Sequence, residues 1–198
     1  MKAKIFGIGL SKTGTTSLHT ALEILGYRSV HFPVTLSEID SHDAASDISV
    51  ACRFAELDKL YPDSKFILTV RDLNQWLDSC DRHFSQRSSR DELSPKSREF
   101  IVSCIRKVYG TASYDPVLFQ EAYQKHMQYV QDYFAERPQD LLKLNIAGGE
   151  GWERLCPFVK RPVPDLSFPY KNKNCESLVM IRQEISSKLD KGSDSCLL

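Results

Sequence analysis

Nine consecutive positions near the amino terminus, 9–17, hold Gly9, Ser11, Lys12, Thr13, Gly14, Thr15, Thr16 and Ser17 around a single leucine. Residues of this kind suit anion binding. Small side chains let backbone N–H groups close on a negative charge, and the hydroxyls add donors. Lys12 supplies a full positive charge. The apolar run before them, 4–9, reads as a buried strand, and Leu18, Leu22 and Leu25 after them recur at helical spacing. A loop between the two aims its N–H groups at one point, at the positive end of the helix dipole. The spacing from Gly9 to Gly14 matches the nucleotide phosphate loop, but Thr15 stands where that template has lysine, and Lys12 precedes Gly14 by two residues. A second cationic position, Arg71, ends the apolar run 64–70. Phosphotransferases often place a metal-binding aspartate at such a strand end; here Arg71 comes first and Asp72 follows. Arginine suits a second phosphate and is a poor metal ligand. Together the two exits fit a nucleotide with phosphates at two separate positions, bound without a metal.

With both segments in view, a family resemblance follows. Residues 11–17, SKTGTTS, resemble the 5′-phosphosulfate loop of sulfotransferases that use 3′-phosphoadenosine-5′-phosphosulfate (PAPS). Residues 66–79, FILTVRDLNQWLDS, resemble their 3′-phosphate motif, an arginine after a strand and a serine eight residues later, Arg71 and Ser79. Residues 149–172 are similar to the closing segment of the small bacterial-type, family-4-like branch. The resemblance implies that Lys12 stabilises charge on the leaving phosphate. It further implies that Ser11, Thr13, Gly14, Thr15, Thr16 and Ser17 hold the 5′-phosphate, and that Arg71 and Ser79 clamp the 3′-phosphate. PAPS is then the co-substrate, adenosine 3′,5′-bisphosphate the product, and no metal takes part. A basic loop that completes the clamp in the cytosolic branch is replaced here by residues 170–174, where Lys171 or Lys173 stands in for it.

Sulfuryl transfer to a hydroxyl needs a proton acceptor, which the family supplies from a histidine or acid between the two motifs. Asp47, ahead of a predicted helix, His31, after a predicted second strand, and His42, in a polar loop, all qualify by location. Asp47 is placed first, His31 close behind it and His42 last, and location alone leaves the choice open. Asp47 as a plain helix cap and His31 as a bonded strand-end histidine are equally good readings. Trp76 and Trp152 are read as packing residues.

The remaining sequence supplies the frame. Strands are expected at 4–9, 27–32, 64–70 and 141–146, and helices after the first and third; residues 34–47 are read as loop or short helix. Val50, Phe54, Leu57 and Tyr61 mark one helix face. Asp115 and Pro116 open a long helix to 137, and Leu178, Ile181, Ile185 and Leu189 give a further amphipathic helix. Strands alternating with helices predict an α/β fold, three-layered, with a mostly parallel sheet of four or five strands. We expect one domain over 1–190, with a partly exposed excursion at about 85–112 and a loose tail at 191–198. Lys+Arg and Asp+Glu both number 26, so charge gives no support to nucleic-acid binding. The six cysteines form no C-x-x-C pair and read as reduced thiols of a cytoplasmic protein. No stretch suits a membrane span. The expected activity is metal-independent sulfuryl transfer to a hydroxyl or amine of a small-molecule, glycan or lipid acceptor. The alternatives are a variant phosphotransferase and a non-catalytic nucleotide-binding module. Neither the acceptor nor the oligomeric state is legible.

Overall fold

A computed structural model of the chain describes residues 2–85 and 95–170. Its frame is a five-stranded sheet of β1 (Ile5–Gly7), β2 (Ser29–His31), β3 (Ala44–Ser46), β4 (Lys65–Thr69) and β5 (Leu141–Leu144), in the order β2-β3-β1-β4-β5. Every neighbouring pair is parallel, so all five carboxyl ends open on one edge. The helices are α1 (Thr15–Ile24), α2 (Leu36–Ser41), α3 (Ile48–Ala51), α4 (Phe54–Leu60), α5 (Leu73–Phe84), α6 (Pro95–Tyr109), α7 (Pro116–Tyr133) and α8 (Trp152–Val159).

Strand side chains alternate between two apolar layers, as a sheet covered on both faces requires. Ile5, Ile67, Leu142 and Leu144 pack with α1 and α8 on one face. Phe6, Val30, Phe66 and Leu68 pack with α4 and α7 on the other. This is the three-layer α/β fold expected from the alternation of strands and helices. A third apolar cluster joins Leu10, Phe32 and Ile48, which follow strand ends, to Trp76, Tyr109 and Phe119 of α5, α6 and α7.

Two expectations need correction. Residues 34–47 contain the strand β3 as well as α2. Ala44, Ala45 and Ser46 have little intrinsic strand preference. They are extended because β1 and β2 pair with them on both sides, and small residues are needed there: a Cβ on Gly7 would lie 2.7 Å from Ser46 Cβ. α2 starts on a capping box, in which Thr35 Oγ1 accepts from Glu38 N–H at 3.2 Å and the Glu38 carboxylate accepts from Thr35 N–H at 3.2 Å. Second, the stripe Val50, Phe54, Leu57, Tyr61 spans two short helices, broken at Cys52 and Arg53, although all four residues are buried. Residues 95–109, within the partly exposed excursion expected at about 85–112, form a helix with a buried face of Phe100, Cys104, Ile105 and Tyr109; residues 86–94 lie outside the described residues. The polar start of this segment hid its apolar half.

The long helix runs 116–133, shorter than the expected span. Asp115 Oδ1 accepts from Val117 and Leu118 N–H at 2.9 Å, and Pro116 takes the first position. The helix expected around Leu178–Leu189, the tail 191–198, Lys171 and Lys173 lie outside the described residues. Phe54 of α4 sits at 1% exposure among Tyr129, Tyr133 and Phe134, tying α4 to α7. Phe54→Ala should therefore lower stability by about 3–5 kcal/mol in urea unfolding, the usual cost of truncating a buried aromatic.

Candidate functional site

Chain direction sets the site. β1 leaves the sheet into the loop 8–14, and the backbone there is shaped by close contact with the end of β4. A Cβ on Gly9 would lie 1.8 Å from Thr69 Oγ1, so only glycine fits. Thr13 Oγ1 donates to the Leu10 carbonyl at 2.6 Å and bonds Thr69 Oγ1 at 2.7 Å. Thr13 is fully buried, and its hydroxyl and its N–H both serve the loop itself. The sequence reading had assigned Thr13 to the anion; its geometry makes it a strut that ties the loop to β4.

The loop turns through two left-handed residues, Lys12 at φ 70° and Gly14 at φ 109°. For a lysine this costs on the order of 1 kcal/mol and persists only where the surroundings impose it. Trp76 imposes part of it, since its indole N–H donates to the Ser11 carbonyl at 2.8 Å. Gly14 is the N-cap of α1 and brings no side chain to the cap. The positive end of the α1 dipole therefore faces the turn at Lys12. Thr15 and Ser17 are buried along α1, while Ser11, Lys12 and Thr16 are half-buried.

At the neighbouring exit, Arg71 follows β4 after Val70. Its Nε is buried without a partner among the described residues. Its backbone is held on both sides by Tyr123 of α7, whose hydroxyl accepts from Arg71 N–H at 3.2 Å and donates to the Arg71 carbonyl at 2.6 Å. Asp72 caps α5, accepting from Gln75 N–H at 3.0 Å. Ser79 lies on the buried face of α5 beside Cys80. Burial pushes the Cys80 thiol up, and the charges of Lys12 and Arg71 both act against that rise.

On the other side of the loop lie the ends of β2 and β3. The register sets His31 beside Ser46, and Ser46 beside Gly7. His31 Nε2 is 3.3 Å from Asp47 Oδ2, with both side chains largely buried. The same nitrogen is 3.3 Å from Thr15 Oγ1 and 3.4 Å from Thr16 Oγ1, which ties the pair to α1. His31 Nδ1 is buried without a partner among the described residues. Asp47 has φ 94°, a left-handed backbone that is rare for aspartate, and its other oxygen accepts from Ile48 N–H at 2.7 Å. The two residues between which location could not choose therefore lie side by side, 3.3 Å apart. His42 precedes β3, at the opposite end of the strand from Asp47, and its ring bonds the Glu38 carbonyl at 2.6 Å. It is remote from the loop.

Sequence reasoning overlooked α7 as a support of the site. His126 Nε2 donates to the Ile8 carbonyl at 2.7 Å, so α7 grips the β1 exit through His126 and the β4 exit through Tyr123. The signal was available: Phe119, Tyr123, His126 and Val130 form one helical stripe whose middle members carry polar tips. Trp152 packs against Phe168 and donates to the Leu166 carbonyl at 2.7 Å, in keeping with its reading as a packing residue.

A parallel α/β sheet with a phosphate-type loop at one strand exit and an arginine at the next defines a phosphate-loop-like protein. A family model described as "Sulfotransferase domain" matches residues 4–42 and 37–177, and the chain belongs to that family. It is 28% identical over 216 residues to "Ava biosynthesis cluster protein M" of Aspergillus versicolor, a match covering 84% of this chain and 80% of that protein. The crystal structure of a sulfotransferase from Alicyclobacillus acidocaldarius shares the fold, with a TM-score of 0.51 and 16% identity over 96% of this chain and 95% of that one.

Burial lowers the His126 pKa from its ordinary 6.5, so the folded protein holds this ring neutral. Below pH 6.5 the unfolded chain binds a proton at His126 that the folded chain does not. Stability must then fall as pH drops from 6.5 toward the lower folded value. His126→Gln, which keeps a donor but does not titrate, should flatten that slope when urea midpoints are compared between pH 7 and about 5.

Proposed function

We propose that the protein transfers the sulfuryl group of PAPS to a hydroxyl or amine of an acceptor, without a metal, and releases adenosine 3′,5′-bisphosphate. The observation that carries this reading is the order of the strand exits. Arg71 lies on one side of the loop of Lys12, and the His31–Asp47 pair lies on the other. In this reading the N–H groups and hydroxyls of Gly14, Thr15, Thr16 and Ser17, with Ser11, hold the 5′-phosphate, and Arg71 with Ser79 holds the 3′-phosphate.

The acceptor oxygen attacks sulfur from the side of His31 and Asp47. As the new S–O bond forms, the bond from sulfur to the 5′-phosphate oxygen breaks, and its electron pair stays on that oxygen. Lys12 stabilises the charge that develops there. The acceptor proton passes to the His31–Asp47 pair. With Asp47 Oδ2 3.3 Å from Nε2, the carboxylate stabilises the imidazolium that results. Most of the acceleration then comes from positioning and charge stabilisation.

A phosphotransferase reading needs Asp72 to reach a metal, and the engagement of Asp72 as the cap of α5 counts against it. A non-catalytic module would have no need of a histidine–aspartate pair beside the loop. The fungal relative is named for a biosynthesis cluster, which favours a small-molecule acceptor over a glycan or lipid. The free thiols of Cys52, Cys80, Cys104 and Cys156 fit a reducing cytoplasm. We take residues 1–190 as one domain.

Calorimetry should show adenosine 3′,5′-bisphosphate binding equally well with and without a chelator. Arg71→Ala should weaken it by about 2–5 kcal/mol, the cost of truncating one partner of a buried charge pair. Tighter binding of ATP with Mg²⁺ would sink the reading. In a labelled-PAPS transfer screen with Lys12→Ala as the blank, His31→Ala and Asp47→Asn should each lower turnover by roughly 10²–10⁴-fold. Bisphosphate affinity should stay near that of the wild type in both variants. A loss of binding in step with turnover would show that the pair shapes the loop and does not accept the proton.

A further inference from the structure

Arg71 lies one residue beyond the last sheet bond of β4, from Val70 N–H to the Leu144 carbonyl at 3.0 Å. Past that point its backbone is held from α7. The Tyr123 hydroxyl both accepts from Arg71 N–H and donates to the Arg71 carbonyl, so one oxygen fixes both polar groups of this residue. The Tyr123 ring lies 4.7 Å from Trp76, whose indole N–H holds the Ser11 carbonyl in the loop. One turn along α7, His126 holds the Ile8 carbonyl. A single helix face therefore spans the two exits that carry Lys12 and Arg71.

A guanidinium sits at the end of a long side chain, so a small rotation of its own backbone displaces it widely. The Arg71 Nε is buried with no partner among the described residues, which leaves a donor for an anion. We propose that Tyr123 is a positioning residue that aims the Arg71 guanidinium at the second phosphate. It thereby sets the preference for a nucleotide carrying two separated phosphates over one carrying a single 5′-phosphate. This rests on the reading above, in which Arg71 holds the 3′-phosphate. Burial pushes the Tyr123 phenol up, which keeps the hydrogen it donates to Arg71 in place across the physiological range. The role differs from that of Trp76 and His126, which act on the loop and so on the phosphate that both nucleotides share.

The test compares two ligands on four proteins by calorimetry. Adenosine 3′,5′-bisphosphate and adenosine 5′-monophosphate are titrated into wild type, Tyr123→Phe, Arg71→Ala and the double variant. Tyr123→Phe keeps the ring against Trp76 and removes only the hydroxyl. It should weaken the bisphosphate roughly tenfold, in line with the net worth of one to two hydrogen bonds, and leave the monophosphate within about twofold. The double variant should bind the bisphosphate no more weakly than Arg71→Ala alone, because Tyr123 acts through Arg71. Equal weakening of both ligands would overturn the proposal, since a merely structural tyrosine behaves that way. So would additive losses in the double variant, or an unchanged bisphosphate affinity in Tyr123→Phe. A wild type that fails to prefer the bisphosphate would overturn the reading of Arg71 itself, and this inference with it. The two failures are therefore distinguishable.

Discussion

The contact on which the rest of the structure depends is the one between Gly9 and Thr69. The exits of β1 and β4 press so closely together that a single methyl group on Gly9 would overlap the Thr69 hydroxyl. That hydroxyl in turn bonds Thr13, and Thr13 bonds Leu10. The loop is thus folded back on the end of the neighbouring strand. With Leu10 and Thr13 pinned, the intervening chain has few ways to close, and the left-handed turn at Lys12 follows. Gly14, also left-handed, then starts α1 with its dipole facing the turn. A loop lacking this contact would have the same composition and no defined shape.

The polar groups around the site show a division of labour. Side chains with polar tips and apolar bodies hold backbone carbonyls from the layers behind the loop: Trp76 on Ser11, His126 on Ile8, Tyr123 on Arg71. Each such bond contributes only about 1 kcal/mol net. Their effect lies in fixing positions, because each acts on a chain segment that has just left the sheet and has lost its ladder partners. Groups suited to meeting a ligand stand forward of this frame. They are the Arg71 guanidinium, the His31–Asp47 pair and the first turn of α1.

Strand order gives the site its polarity. Because β3 is inserted between β2 and β1, the ends of β2 and β3 bring His31 and Asp47 together beside α1, and Arg71 falls on the far side of the loop. The loop thus has an arginine beyond it in one direction and a histidine–aspartate pair in the other. Lys12, ahead of Gly14 and not behind it, projects from the turn and not from the helix. This arrangement accounts for the displaced lysine better than a damaged nucleotide loop does.

Much of this was legible in the residues alone. The apolar runs of β1 and β4, the leucine stripe of α1, the Asp115–Pro116 start of α7 and the small residues of the loop are local signals. Local sequence determines them because they rest on side-chain periodicity and backbone freedom. Arg71 stood out as a cation at a strand end, whereas Ser79 was singled out only through the family resemblance. What only the tertiary structure decided depends on contacts between distant segments. Ala44–Ser46 is a strand because its neighbours pair with it, and nothing in its own residues demands it. Residues 95–109 carry a weak apolar stripe that becomes a buried face only against α3 and α7. Thr13 looks like its hydroxyl neighbours until Thr69 comes within bonding distance. His31 and Asp47, sixteen residues apart, are rivals along the chain and partners in space, since parallel pairing of β2 with β3 delivers both to the same edge. A sequence specifies which side chains are available at each strand exit. The order and register of the strands decide which of them meet.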